Sequence, residues 1–161
     1  MSSRMEIDPS LLSDNPYQPR TDYGPLAKLA RSIQEDGVLE PPTVRIVMDG
    51  DPQKVDGISA AALPDEAEVQ IADGHRRVRA IRKAGLDTVE VRVRHLTHEQ
   101  MARIAAITAG HREDLTPIEQ AKHARVLKEE FGYAQKEIAE TFGRSQSWVS
   151  NRMRLLKLPD Y

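Results

Sequence analysis

Apolar residues recur along this chain with two different periods, and the change of period divides it. Leu26, Leu29, Ala30 and Ile33 follow the i, i+3, i+4, i+7 spacing of an amphipathic helix. Gly37 follows its last polar turn, where a left-handed C-cap is expected, and Pro41-Pro42 stops further helix. Thr43 to Met48 is rich in β-branched residues and predicts a strand, and Glu68 to Ala72 predicts a short second one. Asp49 to Glu66, between them, has no period and reads as a surface hairpin insertion. Asp73-Gly74 is a turn. Val78, Ile81 and Ala84 then begin a helical stripe that Gly85 ends, and Val89, Val91 and Val93 alternate with charged residues as a half-buried strand. Ahead of all this, Met5 to Ile7 is an extended lead. Asn15-Pro16-Tyr17-Gln18-Pro19-Arg20 is a rigid loop, because two prolines fix φ and remove two donors.

From about residue 97 the pattern is purely helical. Thr97 to Gln100 fits a capping box opening a helix over Met101 to Thr108. Thr116-Pro117-Ile118-Glu119 fits a better one, with Pro at the first helical position of a helix running to about Phe131. Two more helices follow, Gln135 to Phe142 and Gln146 to Leu156, split by Gly143-Arg144-Ser145. The expectation is α+β overall: a small α/β domain over residues 1–97, then an all-α domain over 98–161 with a helix-turn-helix at about 134–157.

Composition narrows the chemistry. With no cysteine among 161 residues, disulfides, thiolate metal sites and cysteine nucleophiles are excluded. The histidines show no metal-ligand spacing, so no metal site is expected. No run of about 18 apolar residues is present, which predicts a cytoplasmic protein with no membrane contact. The net charge of −2 hides two basic patches. One holds Arg76, Arg77, Arg79, Arg82, Lys83, Arg92 and Arg94 against only Asp87 and Glu90. The other, residues 144–157, holds Arg144, Arg152, Arg154 and Lys157 and no acid.

The second patch coincides with helix-turn-helix spacing. Ile138 and Ala139 face the partner helix, Gly143 permits the sharp turn, Ser145 caps the next helix, and Val149 with Leu155 or Leu156 anchors it. Its exposed face offers Gln146, Ser147, Ser150 and Asn151, residue types that hydrogen-bond base edges in a major groove. Arg144, Arg152 and Arg154 suit phosphate contacts. An ordinary helical hairpin with a solvated polar face would share the spacing, but not the coincidence of turn glycine, cap and acid-free basic stretch. Trp148 fits either packing or surface contact. In the first patch, Ile71-Ala72-Asp73-Gly74-His75-Arg76-Arg77 is strand, glycine turn and helix start, which sets backbone N–H groups and a positive helix end beside two arginines. Arg20 and Arg112 could converge on it. His75 is the one candidate acid or base there, though a lone His at a helix start is more often a surface or cap residue.

Five segments, in order, resemble the ParB family of chromosome and plasmid partition proteins: Asn15 to Arg20 (NPYQPR), Leu29 to Pro41, Ile71 to Ala80 (IADGHRRVRA), Arg112 to Ala121 (REDLTPIEQA) and Gly143 to Pro159. The resemblance implies a ParB/sulfiredoxin-like N-terminal domain followed by a helix-turn-helix domain. It implies a CTP-dependent clamp that reads a palindromic centromere-like site in double-stranded DNA, associates as a homodimer, and recruits a ParA-type ATPase near the nucleoid or a plasmid. By the same resemblance, Gln18, Arg20, Gly74, His75, Arg76, Arg77 and Arg112 would line the triphosphate, and Gly37, Val38 and Leu39 would lie against the cytosine. The family's C-terminal dimerisation domain would follow the helix-turn-helix, and this sequence stops at Tyr161, so a truncated chain or a shorter relative is expected.

This sequence departs from the family pattern at His75, where the family has Glu, and at Thr108 and Ala109, where it has Glu and Asn that help place a divalent metal. Alanine offers Mg²⁺ no side-chain oxygen, so CTP binding is expected to depend weakly on Mg²⁺ and hydrolysis to be slow or absent. The DGHRR segment also resembles the box of phosphotransferases and nucleases on the same fold, with His75 as general acid or base. A plain helix-turn-helix transcriptional regulator is the other competing reading. Sulfiredoxin chemistry needs a cysteine and is excluded.

Overall fold

The structure is a computed structural model that describes residues 2–18, 23–54, 60–112 and 115–157. It divides into two compact units, residues 1–97 and 98–161. Among the described residues, no helix is long and apolar enough to cross a membrane.

The first unit is a mixed sheet with two helices. Its strands are β1 (Ser2–Ile7), β2 (Leu12–Ser13), β3 (Thr43–Met48), β4 (Asp51–Pro52), β5 (Glu68–Asp73) and β6 (Val89–Arg94), and its helices are α1 (Ala27–Asp36) and α2 (His75–Ala84). The strand order is β1-β6-β3-β5-β2, with β4 returning on β3. β1 and β6 pair antiparallel, with Met5 opposite Val91. β3 runs parallel to β6 and antiparallel to β5, with Val44 opposite Ile71 and Ile46 opposite Val69. That register puts Val44, Ile46, Val69, Ile71, Val89, Val91 and Val93 into one core with Ile33 of α1 and Val78 and Ile81 of α2. At about 25 cal/mol per Å² of apolar surface removed from water, this aliphatic interior is the unit's main stabilising term.

Two expectations need amendment here, and one strand was not expected. Gly37 takes φ 76° with ψ −172°, positive but not the left-handed helical cap, because the chain leaves α1 extended towards Pro41. The 49–66 insertion is a hairpin only at its start, where Asp51–Pro52 pairs back on β3. Its later part forms a 3-10 turn at Ala60–Ala62, and Ala60, Leu63 and Ala67 pack on the core, since small and apolar side chains gain more there than in water. β2, only two residues long, pairs parallel with β5 and has no sequence signature at all.

The second unit contains α3 (His98–Gly110), α4 (Pro117–Phe131), α5 (Gln135–Phe142) and α6 (Gln146–Leu155). α3 therefore extends past both ends of the expected Met101 to Thr108 stretch. Thr116 caps α4 by accepting the Glu119 N–H at 3.2 Å, with Pro117 in the first turn. Glu119 turns its carboxylate to the Thr116 hydroxyl, 3.2 Å away. Ala124, Leu127, Ile138 and Val149 are fully buried, and Leu155 and Leu156 only partly so. Val149 is thus the buried anchor of α6.

Candidate phosphate site and nucleic-acid interface

α2 begins at the end of β5 through Gly74, whose φ of 100° and ψ of 26° suit glycine and few other residues. A Cβ there would stand 3.2 Å from the Pro42 Cβ and 3.3 Å from Arg77 Nη1. The backbone of the 37–42 loop and the first turn of α2 are therefore close neighbours, and Arg77 extends the link with a loose ion pair to Glu40 at 3.5 Å. No side chain caps α2 among the described residues. Its first-turn N–H groups and positive dipole end are an anion seat.

The Asn15 to Gln18 turn joins the same place. The buried His75 ring accepts the Asn15 N–H on Nε2 at 3.0 Å and stacks on Tyr23 with centroids 6.4 Å apart. A nitrogen that accepts a backbone N–H is unprotonated, so His75 serves as a fastener between turn and helix. Asn15 Oδ1 accepts the Tyr17 N–H, and the Gln18 N–H donates to the Asn15 carbonyl. Gln18 is buried, and among the described residues its Oε1 has no hydrogen-bond partner. Such an orphan implies a missing partner. Turned over, the same amide would present two donors to a phosphate oxygen.

The arginines of α2 are not one free patch. Arg76 donates to the carbonyls of Tyr23 and Pro25 at 3.1 and 2.8 Å. Arg79 bonds Asp14 at 2.8 Å and lies over the Tyr23 ring. Burial pushes the Asp14 carboxyl up, but the hydrogen bond and charge of Arg79, with the charge of Arg82, outweigh it and hold the group below its ordinary value. Arg82 donates to the carbonyls of Pro9 and Leu12. Three of the four arginines therefore pin the N-terminal segments, and Arg77 is the one directed at the loop. Their spacing of three, 76, 79 and 82, along the edge of the buried stripe was the available signal.

Of the remaining expected residues, Gly37, Val38 and Leu39 follow α1. Val38 packs partly on the core, and Leu39 is 85% exposed. Arg20 lies outside the described residues. Arg112 belongs to the second unit, where its N–H bonds the Ala109 carbonyl after α3. Ala109 is fully buried, and among the described residues no three His, Asp or Glu are grouped to hold a metal ion.

In the second unit, Gly143 ends α5 with φ 66° and ψ 36°, which lets the Arg144 N–H bond Ala139 O at 2.9 Å. Ser145 then caps α6 by accepting the Trp148 N–H at 3.1 Å. Gln146, Ser147 and Asn151 are exposed. Ser150 is turned inward, its hydroxyl donating to Gln135 at 2.8 Å. Arg144 and Arg154 are exposed, and Arg152 is half-buried with Nε on Gln120 of α4 at 2.9 Å. Of the four polar residues expected on this face, Gln146, Ser147 and Asn151 are thus the exposed ones. The partners Gln120 and Gln135 carry no signal in their own segments.

The ParB N-terminal domain family matches residues 2–109, and the ParB HTH domain family matches residues 113–161. The chain belongs to the ParB family. It is 41% identical over 153 residues to the chromosome-partitioning protein ParB of Caulobacter vibrioides, a match covering 93% of this chain and 45% of that protein. The chain therefore spans about half the length of the curated relatives it matches. The C-terminally truncated ParB from Caulobacter crescentus complexed to the centromeric parS site superposes with a TM-score of 0.63 at 36% identity, covering 96% of this chain and 73% of that one. The same protein complexed with CTP-gamma-S superposes with a TM-score of 0.50 at 40% identity, covering 98% and 81%. The expected fold class, an α/β sheet domain followed by a ParB-type helical domain, holds.

Proposed function

We propose that this chain is the nucleotide- and centromere-binding portion of a ParB-type DNA partition protein. The observation that supports this most is that both units resemble a relative solved in one case with parS and in another with CTP-gamma-S. The first unit, residues 1–97, takes CTP. Backbone N–H groups at the start of α2, with Arg77 and Gln18, hold phosphate oxygens, and the Gly37 to Leu39 segment meets the base. Arg20 adds charge to the same triphosphate. Arg76 and His75 act one step back, by fixing the Tyr23 to Pro25 and Asn15 to Gln18 segments. The bound nucleotide supplies negative charge that the α2 terminus and Arg77 are built to meet.

The second unit, residues 98–161, reads double-stranded DNA with Gln146, Ser147 and Asn151, while Arg144, Arg152 and Arg154 meet phosphates. Homodimerisation into a clamp and recruitment of a ParA-type ATPase complete the reading. Ala109 gives Mg²⁺ no side-chain oxygen, so metal dependence is weak and turnover slow or absent. The deciding experiment is calorimetric titration with CTP, ATP and GTP, with and without Mg²⁺. Selective CTP binding that Arg77→Ala weakens at least tenfold is expected. Equal affinity for all three nucleotides, or none for any, would remove the nucleotide half of the proposal.

A further inference from the structure

One cluster at the helix-turn-helix lies outside the residues assigned above to base reading. Arg144, Trp148 and Arg152 follow one another at spacings of four, which brings them to one side of α6 and its lead-in turn. The Arg152 guanidinium lies 4.8 Å from the centroid of the Trp148 ring, and that of Arg144 lies 5.5 Å from it. The indole itself is fixed. Its ring packs on buried Phe142 at 5.3 Å with a 47° tilt, and its backbone N–H is held by Ser145. Arg144 is pinned by its backbone bond to Ala139, and Arg152 by Gln120. Among the described residues neither guanidinium has a carboxylate partner, and residues 144–157 contain no acid.

Two cations held against one ring with no counterion repel each other, and an anion relieves that repulsion. The ring's attraction for both offsets part of the cost, and the side chains then lose little freedom on binding. We propose that Trp148 is a positioning residue: a cation–π platform that presets Arg144 and Arg152 for phosphates of the DNA backbone and itself reads no base. This rests on the DNA-binding reading above.

The test compares wild type, W148F and W148L by fluorescence anisotropy, on a parS duplex and a scrambled duplex of equal length, across a salt series. Thermal melting by circular dichroism runs alongside. W148L is expected to weaken both duplexes about tenfold and to lower the slope of log affinity against log salt by about one to two. W148F, which keeps a ring face, is expected to retain most of that slope. An unchanged slope in W148L, or a loss confined to parS, overturns the proposal. Should W148L melt early, R144Q and R152Q ask the same question with the indole in place: each must lower the slope by about one, and an unaltered slope overturns it. A wild-type chain that binds neither duplex would instead sink the DNA-binding reading, an outcome distinct from a wild type that binds while W148L matches it.

Discussion

Arg45 is 1% exposed in the middle of β3, where its neighbours are Val44 and Ile46. Its Nε donates to Gln70 Oε1 at 2.8 Å on β5, and Nη1 donates to the Leu96 carbonyl at 3.1 Å. Burial lowers its pKa, yet an arginine stays charged in any protein interior. A buried charge is tolerated when hydrogen-bonded, and removing one partner costs more than removing both. Arg45→Ala is therefore expected to destabilise the first unit by about 2 kcal/mol, because two buried acceptors lose their donor. The double change Arg45→Met with Gln70→Leu should cost clearly less than that. Urea denaturation of the two variants decides it, and a double variant no better than the single would deny that unmet polar groups dominate. Nothing in the stretch TVRIVM announces this residue, because strand periodicity treats Arg45 as a surface position until the neighbouring element is known.

At the scale of elements, two of the helix-bounding glycines, Gly74 and Gly143, make a controlled pair. Gly143 has open space around its missing Cβ, so Gly143→Ala pays only for left-handed backbone, about 1 kcal/mol. Gly74 has φ of 100° and a close approach to Pro42 as well. Gly74→Ala is expected to cost at least about 1 kcal/mol more and to weaken nucleotide binding. Equal losses in chemical denaturation would show that the loop can step aside. Both glycines were legible in the sequence, as were the four helices of the second unit and the strands β3, β5 and β6, because their periods are local. The uses of Arg76, Arg79 and Arg82 were not, since a count of basic residues cannot see partners more than 50 positions away. The inward bond of Ser150 was hidden for a related reason: its partner Gln135 lies on the preceding helix. The glycine turn and the start of α2 were legible in the sequence, but the fastening by His75 was not.

On the scale of the whole molecule, acid acts on His123 of α4. Burial, and then the charge of Arg112, lower its pKa from 6.5 to about 4, against a smaller pull from Glu119. The unfolded chain takes up a proton near 6.5 and the folded one does not, so the stability is complete above that pH and drains away as pH falls towards 4. The loss approaches about 3 kcal/mol. The urea midpoint of the helical unit should fall between pH 7 and 4.5 in the wild type and stay nearly level in His123→Gln. A level wild-type profile would contradict the burial.

The first unit's sheet also has a shape that its connections impose. β1 and β2 are the two ends of the order β1-β6-β3-β5-β2, yet only residues 8–11 lie between them. Laid flat, five strands would set those ends about 19 Å apart. The five steps from Ile7 to Leu12 reach about 18 Å when fully extended. With a 3-10 turn over Pro9–Leu11 they reach only about 13 Å. The sheet must therefore curl until its rims approach, and Ile7 of β1 and Val69 of β5 do line one cavity. Asp8 to Leu11 are a clasp: their length sets the circumference of a half-closed barrel, and inserting residues there would let it spring open.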